Sequence, residues 1–503
     1  MMPTLTVLVL VLTAAETPGL SATVWPEDAY PVRDSDRFAN ENEWVGESND
    51  EPWWLVFNDP LLERAIHRAL ANNYDIRAAA QRVVQAEAVA LQRLSPMLPS
   101  VTADASGSFS NASALGFQFG GLPGGGGAGG VPTQDPLLIY NATAGLNARW
   151  NLDIWGQSYL AYRAANLQGR ASEGDRDSIR LALAGQVASA YFDVVLAKES
   201  IAVVESQVEA NRRLLELLEL RFERGETTGL DVLQQKQQLA ARAAELPPLR
   251  SQLRATQQLL AILMGETPSR TPPEAVDSLP ELPIAPSLGA PADLLENRPD
   301  LRASLLRSEA AEKQALSALR VHLPALSVNG NFGWQWFRSN STPDEPAPGD
   351  PPDLDRSDTA RTDVWGAGVA LSVPLFSGFG DVGQVKQARA SESEAVSALS
   401  QAYLSAVSEV EAAVISETET REQLRLLREQ SEAAAAALDE SEARYVSGLT
   451  NYLSVLTALS AEQVVQRQIL QVERAAIAAR LQLYQSLGGA WTRELEVPLE
   501  SSP

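Results

Sequence analysis

The sequence contains no cysteine and only two histidines. Without cysteine there can be no disulfide, thiolate metal site, cysteine nucleophile or acyl-anchored cysteine, so no lipidation site is expected. His67 and His322 each lie in a helical context without a partner at ligand spacing, so no metal site is predicted. The sequence also lacks a GxSxG nucleophile elbow and a phosphate-binding loop. We therefore expect neither an enzyme nor a cofactor.

Positive charge and long apolar runs are scarce as well. The chain has 40 Lys and Arg against 64 Asp and Glu, a net charge of −24, so we expect no nucleic-acid partner. The apolar run from Leu5 to Ala15 is too short to span a membrane as a helix. It suits a secretory signal peptide, which we place at residues 1–22, although residues 1–4 carry no basic side chain.

The chain instead repeats itself at a long interval. Seven residues recur at an offset of 225: Asn72, Asp75, Arg77, Ala86, Glu87, Leu94 and Pro99 match Asn297, Asp300, Arg302, Ala311, Glu312, Leu319 and Pro324. Gly225 and Gly448, like Gly265 and Gly488, match at an offset of 223. This period is far too long for a solenoid repeat and predicts a duplicated half-protein.

Each half contains two stretches in which apolar and polar residues alternate. We predict strands at about 100–111 and 138–153 in the first half, and at about 325–338 and 362–376 in the second. Runs of this length with one apolar and one polar face are typical of membrane β-barrel strands. A soluble hairpin is the alternative for any single strand. Four strands cannot close a barrel, so the chain must oligomerise, and both a dimer and a trimer remain open.

Long helical tracts follow each predicted hairpin. We predict helices at 156–224 and 230–264 in the first half, with a break at Pro247-Pro248, and at 379–447 and 453–487 in the second. At ~1.5 Å per residue, the longer tracts reach on the order of 70–95 Å. Alanine with interspersed charges favours coiled-coil packing in water. Gly225 and Gly448 mark the turns between the paired helices.

These residues resemble the TolC family of outer-membrane efflux proteins, in the branch that serves RND-type pumps. The resemblance rests on Trp53-Trp54…Asp59-Pro60, Asn297-Arg298-Pro299-Asp300, Pro374-Leu375-Phe376-Ser377-Gly378 and the two glycine turns. It implies a mixed α and β membrane protein. A homotrimer would share one transmembrane β-barrel in the outer-membrane lipid and one α-helical coiled-coil barrel extending into the periplasm of a Gram-negative bacterium. A periplasmic adaptor and an inner-membrane RND transporter, or an ABC exporter, are the implied partners.

The resemblance also fixes the expected domains and a gate. The domains are a signal peptide (1–22), an equatorial segment (23–60), a first repeat (61–265), a Pro-rich linker (266–293), a second repeat (294–489) and a C-terminal tail (490–503). The periplasmic gate would use Asp231, Tyr445, Arg221 and Arg444 beside the turns. Asp231 either latches to Tyr445 or only caps the helix after its turn. Thr450, Ser454 and Thr457 stand where relatives often carry charges, which puts an acidic selectivity ring in doubt.

The implied function is a passive exit duct of a tripartite efflux pump for drugs or other small molecules. One alternative within the family is the outlet of a type I protein secretion system. The Pro-rich linker favours the efflux branch. A trimeric coiled-coil surface adhesin is a further alternative, but it would place its strands at one end of the chain rather than within each half.

Overall fold

The computed structural model describes residues 38–39, 44, 52–112, 137–268, 273–339 and 359–489. The predicted signal peptide, most of the equatorial segment, both hairpin loops and the C-terminal tail lie outside the described residues. The described residues form eight α-helices and four β-strands. In chain order these are α1 (Pro60–Asn72), α2 (Tyr74–Leu94), β1 (Ser100–Ala112), β2 (Leu137–Leu152), α3 (Gln157–Glu223), α4 (Gly229–Leu263), α5 (Leu294–Asn297), α6 (Pro299–Leu319), β3 (Ala325–Ser339), β4 (Thr359–Ser372), α7 (Gly380–Val446) and α8 (Tyr452–Ser486).

One helical detail differs from the sequence prediction. The predicted break at Pro247-Pro248 is wrong, because α4 runs through both prolines as one helix of 35 residues. The helical stretch before β1 divides at Asn73, whose backbone is extended (φ −63°, ψ 135°). The Asn73 amide donates to Leu263 O at 2.9 Å and its Oδ1 accepts from Asp75 N at 2.8 Å, so its side chain stabilises the interruption.

The four strands form one antiparallel sheet in the order β1-β2-β3-β4, which confirms the prediction of four strands for the described part of the chain. The register brings Ala103, Leu146, Phe332 and Trp365 into one row across the sheet. Directly opposite residues share a face, so the apolar positions of all four strands lie together. β4 ends at Ser372, before the predicted end at 376, and Pro374 has no amide to extend the ladder.

The duplication is visible in contacts as well as in sequence. A Cβ built on Gly265 would lie 2.6 Å from Asn72 O, and one built on Gly488 would lie 2.8 Å from Asn297 O. Both glycines have positive φ, 74° and 84°, which only glycine adopts without strain. Arg298 Nη1 donates to Ser486 O at 3.1 Å, as Asn73 donates to Leu263 O. In both halves, therefore, the end of the second long helix (α4 or α8) packs in the same way against the residues that end the first short helix of that half (α1 or α5).

The chain divides into two compact units. One unit comprises Val84–Gly169 and Arg307–Glu394 and contains the sheet with the helix segments that adjoin it. The other contains Arg170–Leu306, the chain from Ala395 onward, and the chain up to Val83. In this second unit, Trp53 stacks on Tyr484 with ring centroids 5.8 Å apart, within a buried core built from α1, α3, α4 and α8.

Ion pairs reinforce the second unit. Glu417 of α7 and Arg480 of α8 are almost completely buried and form a two-bonded pair, with Arg480 Nε 2.8 Å from Glu417 Oε2. Arg480 also donates to Pro283 O in the linker. Arg298 donates two hydrogen bonds to Asp300 and a third, of 2.7 Å, to Glu409. The arginine and the aspartate of the Arg-Pro-Asp motif are therefore joined by charged hydrogen bonds.

Among the described residues, no helix combines the length and the apolarity that a membrane crossing requires.

Candidate functional site at the helical hairpin turns

The two helical hairpins end in turns of the same geometry. After α3, Gly225 N donates to Phe222 O and Glu226 N to Arg221 O, each at 2.9 Å. After α7, Gly448 N and Leu449 N donate to the equivalent carbonyls three and five residues back, at 3.0 and 2.8 Å. Both glycines have positive φ, 74° and 73°, as this helix-ending motif requires. The sequence pattern therefore encodes two matched turns.

The residues that cap the next helices, α4 and α8, are at equivalent positions of the two halves but form different hydrogen bonds. Thr228 caps α4 by accepting from Asp231 N at 3.3 Å, and Asn451 caps α8 by accepting from Ser454 N at 3.3 Å. Only the first cap is reciprocal, because Asp231 Oδ2 accepts from Thr228 N at 3.0 Å. The first turn therefore has a complete capping box, and the second does not.

Asp231 is held as a carboxylate by its own turn. Its Oδ2 accepts from the hydroxyls of Thr227 at 2.8 Å and Thr228 at 2.7 Å. Partial burial acts to raise the pKa of Asp231, but the hydrogen bonds from Thr228 and Thr227 outweigh it and lower the pKa below its ordinary value. Asp231 therefore carries a fixed negative charge at the turn near neutral pH.

The Thr227 hydroxyl links this carboxylate to the second hairpin. Its Oγ1 lies 3.3 Å from Tyr445 OH, so Asp231 and Tyr445 are joined through Thr227. The guanidinium of Arg221 lies 4.7 Å from the centre of the Tyr445 ring and its Nε lies 3.4 Å from Glu226 Oε2. We call Arg221, Glu226, Thr227, Asp231 and Tyr445 the turn cluster. It joins the two halves of one chain by a cation–π contact and a hydrogen-bond relay.

The other predicted site residues have partners outside the turn cluster. Arg444 donates to Glu440 of its own helix at 2.6 Å and both side chains are exposed. Thr450 donates to Ser454 Oγ at 2.9 Å, and Thr457 donates to Leu453 O at 2.8 Å. Thr450, Ser454 and Thr457 thus give α8 a neutral, hydroxyl-lined start. The gate role of all these residues stays a prediction.

Beneath the turn cluster, polar side chains lie buried between the helices. Tyr452 of α8 donates to Gln235 of α4, whose amide donates to Asn211 O at 2.7 Å and to Asn211 Oδ1 at 3.1 Å. Gln207, one turn earlier in α3, donates to Gln463 O at 3.2 Å. We call Gln207, Asn211, Gln235, Tyr452 and Gln463 the polar ladder, and each member is at most 4% exposed. It ties three helices together in one register.

The polar ladder connects to the turn cluster through aromatic rings. Tyr445 and Tyr452 meet edge to face with their ring centroids 5.9 Å apart. Tyr452 also packs with Leu218, Val232 and Val455 in a small apolar core. A movement that separates the two turns must therefore disturb both this core and the hydrogen bonds of the ladder.

Sequence reasoning missed several members of this site. Glu226 and Thr227 follow Gly225 directly, and only the structure reveals that they engage Arg221 and Tyr445. The [ST]-x-x-[DE] pattern of Thr228 to Asp231 was a readable signal for the capping box. The polar ladder gave no such signal, because Asn and Gln in an alanine-rich helix usually face solvent.

Long paired helices, a four-stranded sheet and duplicated halves define the class of TolC-like outer-membrane channels. The family model described as "Outer membrane efflux protein" matches residues 65–266 and 290–489, so the chain belongs to that family. It is an outer-membrane efflux channel, and the predictions of family, fold class and outer-membrane location are confirmed. The homologues are channel proteins rather than enzymes.

Individual relatives cover most of the chain. The chain is 28% identical over 448 residues to the pyoverdine export outer membrane protein OpmQ of Pseudomonas aeruginosa, covering 88% of each chain. It is 27% identical over 444 residues to the solvent efflux pump outer membrane protein SrpC of Pseudomonas putida, covering 87% of each. The structure of the outer-membrane channel OprN superposes with a TM-score of 0.76 at 25% identity, covering 92% of this chain and 98% of that one.

Proposed function

We propose that this channel is the outlet of a tripartite efflux pump and acts as a homotrimer. Three copies would supply twelve strands to one barrel and six helical hairpins to one periplasmic duct. A periplasmic adaptor would join the duct to an inner-membrane RND transporter, and the substrates would be drugs or other small molecules. The observation that carries the proposal is the four-stranded sheet, in which the described residues leave β1 and β4 as open edges that further copies would pair.

Relatives support the small-molecule assignment. Their names refer to export of pyoverdine and efflux of solvents, which are small molecules. We infer that the turn cluster holds the periplasmic end of the duct closed, since it ties the hairpin turns of the two halves together. The channel would then open when the adaptor separates the turns.

Two host strains test the pump assignment. The first lacks its own outlet but keeps an adaptor and an RND transporter, and the second lacks the transporter as well. We expect the chain to lower accumulation of a fluorescent RND substrate in the first host and to leave the second unchanged. Equal effects in both hosts, or none in the first, would contradict the proposal. Mass photometry of the detergent-solubilised protein should show three copies.

A further inference from the structure

The apolar face of the sheet changes character toward its loop end. Near the helices it carries Leu152, Leu326 and Leu371, and further along it carries Leu146, Phe332 and Trp365. Trp365 is 78% exposed, so the described residues leave this part of the face uncovered. In the shared barrel of the proposed function, on which this inference rests, this face contacts lipid.

Two aromatic positions of β2 on this face indicate its depth in the membrane. Trp150 and Tyr140 of β2 are ten residues apart and both are exposed. Ten residues at ~3.3 Å each, on a strand tilted ~40°, span about 25 Å of bilayer, the height of the apolar band of an outer-membrane barrel. Aromatic side chains concentrate at the two interfaces of such a band. The Tyr140 row therefore lies at headgroup level on the side of the hairpin loops.

A groove opens at that level. It has a volume of about 350 Å³ and is lined by residues of β1, β2 and β3. Gly107, Phe109, Tyr140, Ala142, Trp336 and Arg338 belong to the apolar face, and Ser108, Asn141 and Phe337 belong to the other face. Gly107 and Ala142 form a low floor, and a Cβ built on Gly107 would meet no atom within 4 Å. Phe109 and Tyr140 pack together with ring centroids 4.9 Å apart and form one wall. The groove thus has the apolar walls and open floor that suit a lipid chain.

Arginines lie on the same face beside the groove. Trp336 is directly opposite Arg361, and Arg338 is two residues further along β3, so both arginines belong to this face of the sheet. The guanidinium of Arg361 lies 5.6 Å from the Trp334 ring centre and 3.7 Å from Asp363 Oδ1. Arg338, Arg361 and Asp363 together carry one net positive charge at the edge of the apolar band. The whole chain, by contrast, has a net charge of −24.

We propose that this groove is a binding site for a phosphate-bearing lipid of the outer leaflet. An acyl chain would lie over Gly107 and Ala142, between the aromatic walls. The phosphate would accept hydrogen bonds from Arg338 and Arg361, since the planar guanidinium matches phosphate oxygens in a two-bonded geometry. Cationic side chains at the interface can reach headgroups in this way while their stems stay in the apolar layer.

The test uses the full-length protein in phosphatidylethanolamine vesicles that contain either bisphosphorylated lipid A or its dephosphorylated form. After gentle extraction, native mass spectrometry measures the lipid retained by the protein. We expect wild type to retain the phosphorylated form preferentially, and Arg338→Gln/Arg361→Gln to retain about tenfold less of it. Arg149→Gln, on the polar face of the same sheet, should behave as wild type.

A second variant tests the groove without changing charge. Gly107→Leu fills the floor and should also reduce retention, whereas Gly368→Leu, on the polar face, should not, since its Cβ likewise meets open space. Equal retention of both lipid forms by wild type, or equal losses in the control variants, would overturn the proposal. Displacement of the lipid by inorganic phosphate, without preference between lipid forms, would assign the site to free phosphate instead.

Conductance in planar bilayers separates this inference from the proposed function. A wild-type protein that conducts but shows no lipid preference would refute the lipid site and leave the channel assignment intact. A protein that retains the phosphorylated lipid but does not conduct would support the lipid site and refute the channel assignment.

Discussion

At the scale of single residues, Asp231 makes the two hairpin turns unequal. Its pKa is lowered in the folded protein, so its contribution to turn stability is present above the ordinary value of 3.8 and is lost as the pH falls through the lower folded value. If the turn cluster closes the duct, wild-type channels should open more often in acid. Asp231→Asn should show a higher open probability at neutral pH and a weaker acid response, measured in single-channel recordings.

The matched control lies in the other half. Ser454 holds the equivalent position in the second turn, where it donates to Asn451 rather than closing a reciprocal cap. Ser454→Ala should therefore keep the wild-type acid response. If the Asp231→Asn channel has the wild-type open probability and acid response, Asp231 serves only to cap α4.

The buried pair of Glu417 and Arg480 gives a second residue-scale prediction. Glu417→Gln would leave the Arg480 guanidinium buried without its counter-ion, which costs about 3–5 kcal/mol of unfolding free energy. Urea unfolding followed by circular dichroism should show a large drop in midpoint. Glu422→Gln is the control, because the Glu422–Arg425 pair on the surface of α7 is about half exposed and should leave the midpoint unchanged. Equal midpoints for the two variants would contradict this account.

At the scale of helices and strands, the polar ladder sets the alignment of α3, α4 and α8. Asn211→Leu alone removes the side-chain acceptor of the buried Gln235 amide, whereas the backbone carbonyl of residue 211 still accepts from it, so the substitution should cost about 1 kcal/mol. Replacing the connected group together, as Asn211→Leu/Gln235→Leu/Tyr452→Phe, removes the unpaired groups and should restore most of that loss. The urea midpoints of the single and triple variants measure this difference.

A triple variant as unstable as the sum of its single substitutions would show that the ladder side chains act independently. If the ladder instead fixes register, the restored triple variant should also show altered gating, because apolar side chains allow the helices more than one alignment. Single-channel recordings of the triple variant test this second point.

The elements differ in how far the sequence could predict them. The strands could be predicted because apolar and polar residues alternate in both halves. Phe109 and Trp334, for example, are at equivalent positions of the two halves and lie on equivalent faces. Pro247 and Pro248 were misread as a break, since their local cost is outweighed by packing along α4, where Arg242 and Leu260 are buried on either side of them. Thr227 and the contacts of the polar ladder with Tyr452 and Gln463 could not be predicted, because those partners lie more than 200 residues away in the other half.

For the whole molecule, duplication places both partners of the proposed closure contact on one chain. Arg221 and Thr227 come from the first half and Tyr445 from the second, so the contact that joins the turns is intramolecular. This differs from a closure made only between copies, which would be lost on dissociation. If the turn cluster closes the duct, as proposed, opening must move the halves of a single chain relative to each other at the turns.

The absence of cysteine allows a direct test of that movement. Thr227→Cys/Tyr445→Cys introduces two thiols at sites whose hydroxyls lie 3.3 Å apart, and a short bismaleimide can bridge them without reacting elsewhere on the chain. If the halves must separate for conduction, bridging should abolish channel openings and efflux, while each single cysteine variant treated in the same way keeps both. Bridged channels that still open would show that closure lies between copies, and that the intramolecular contact serves only to align the hairpins.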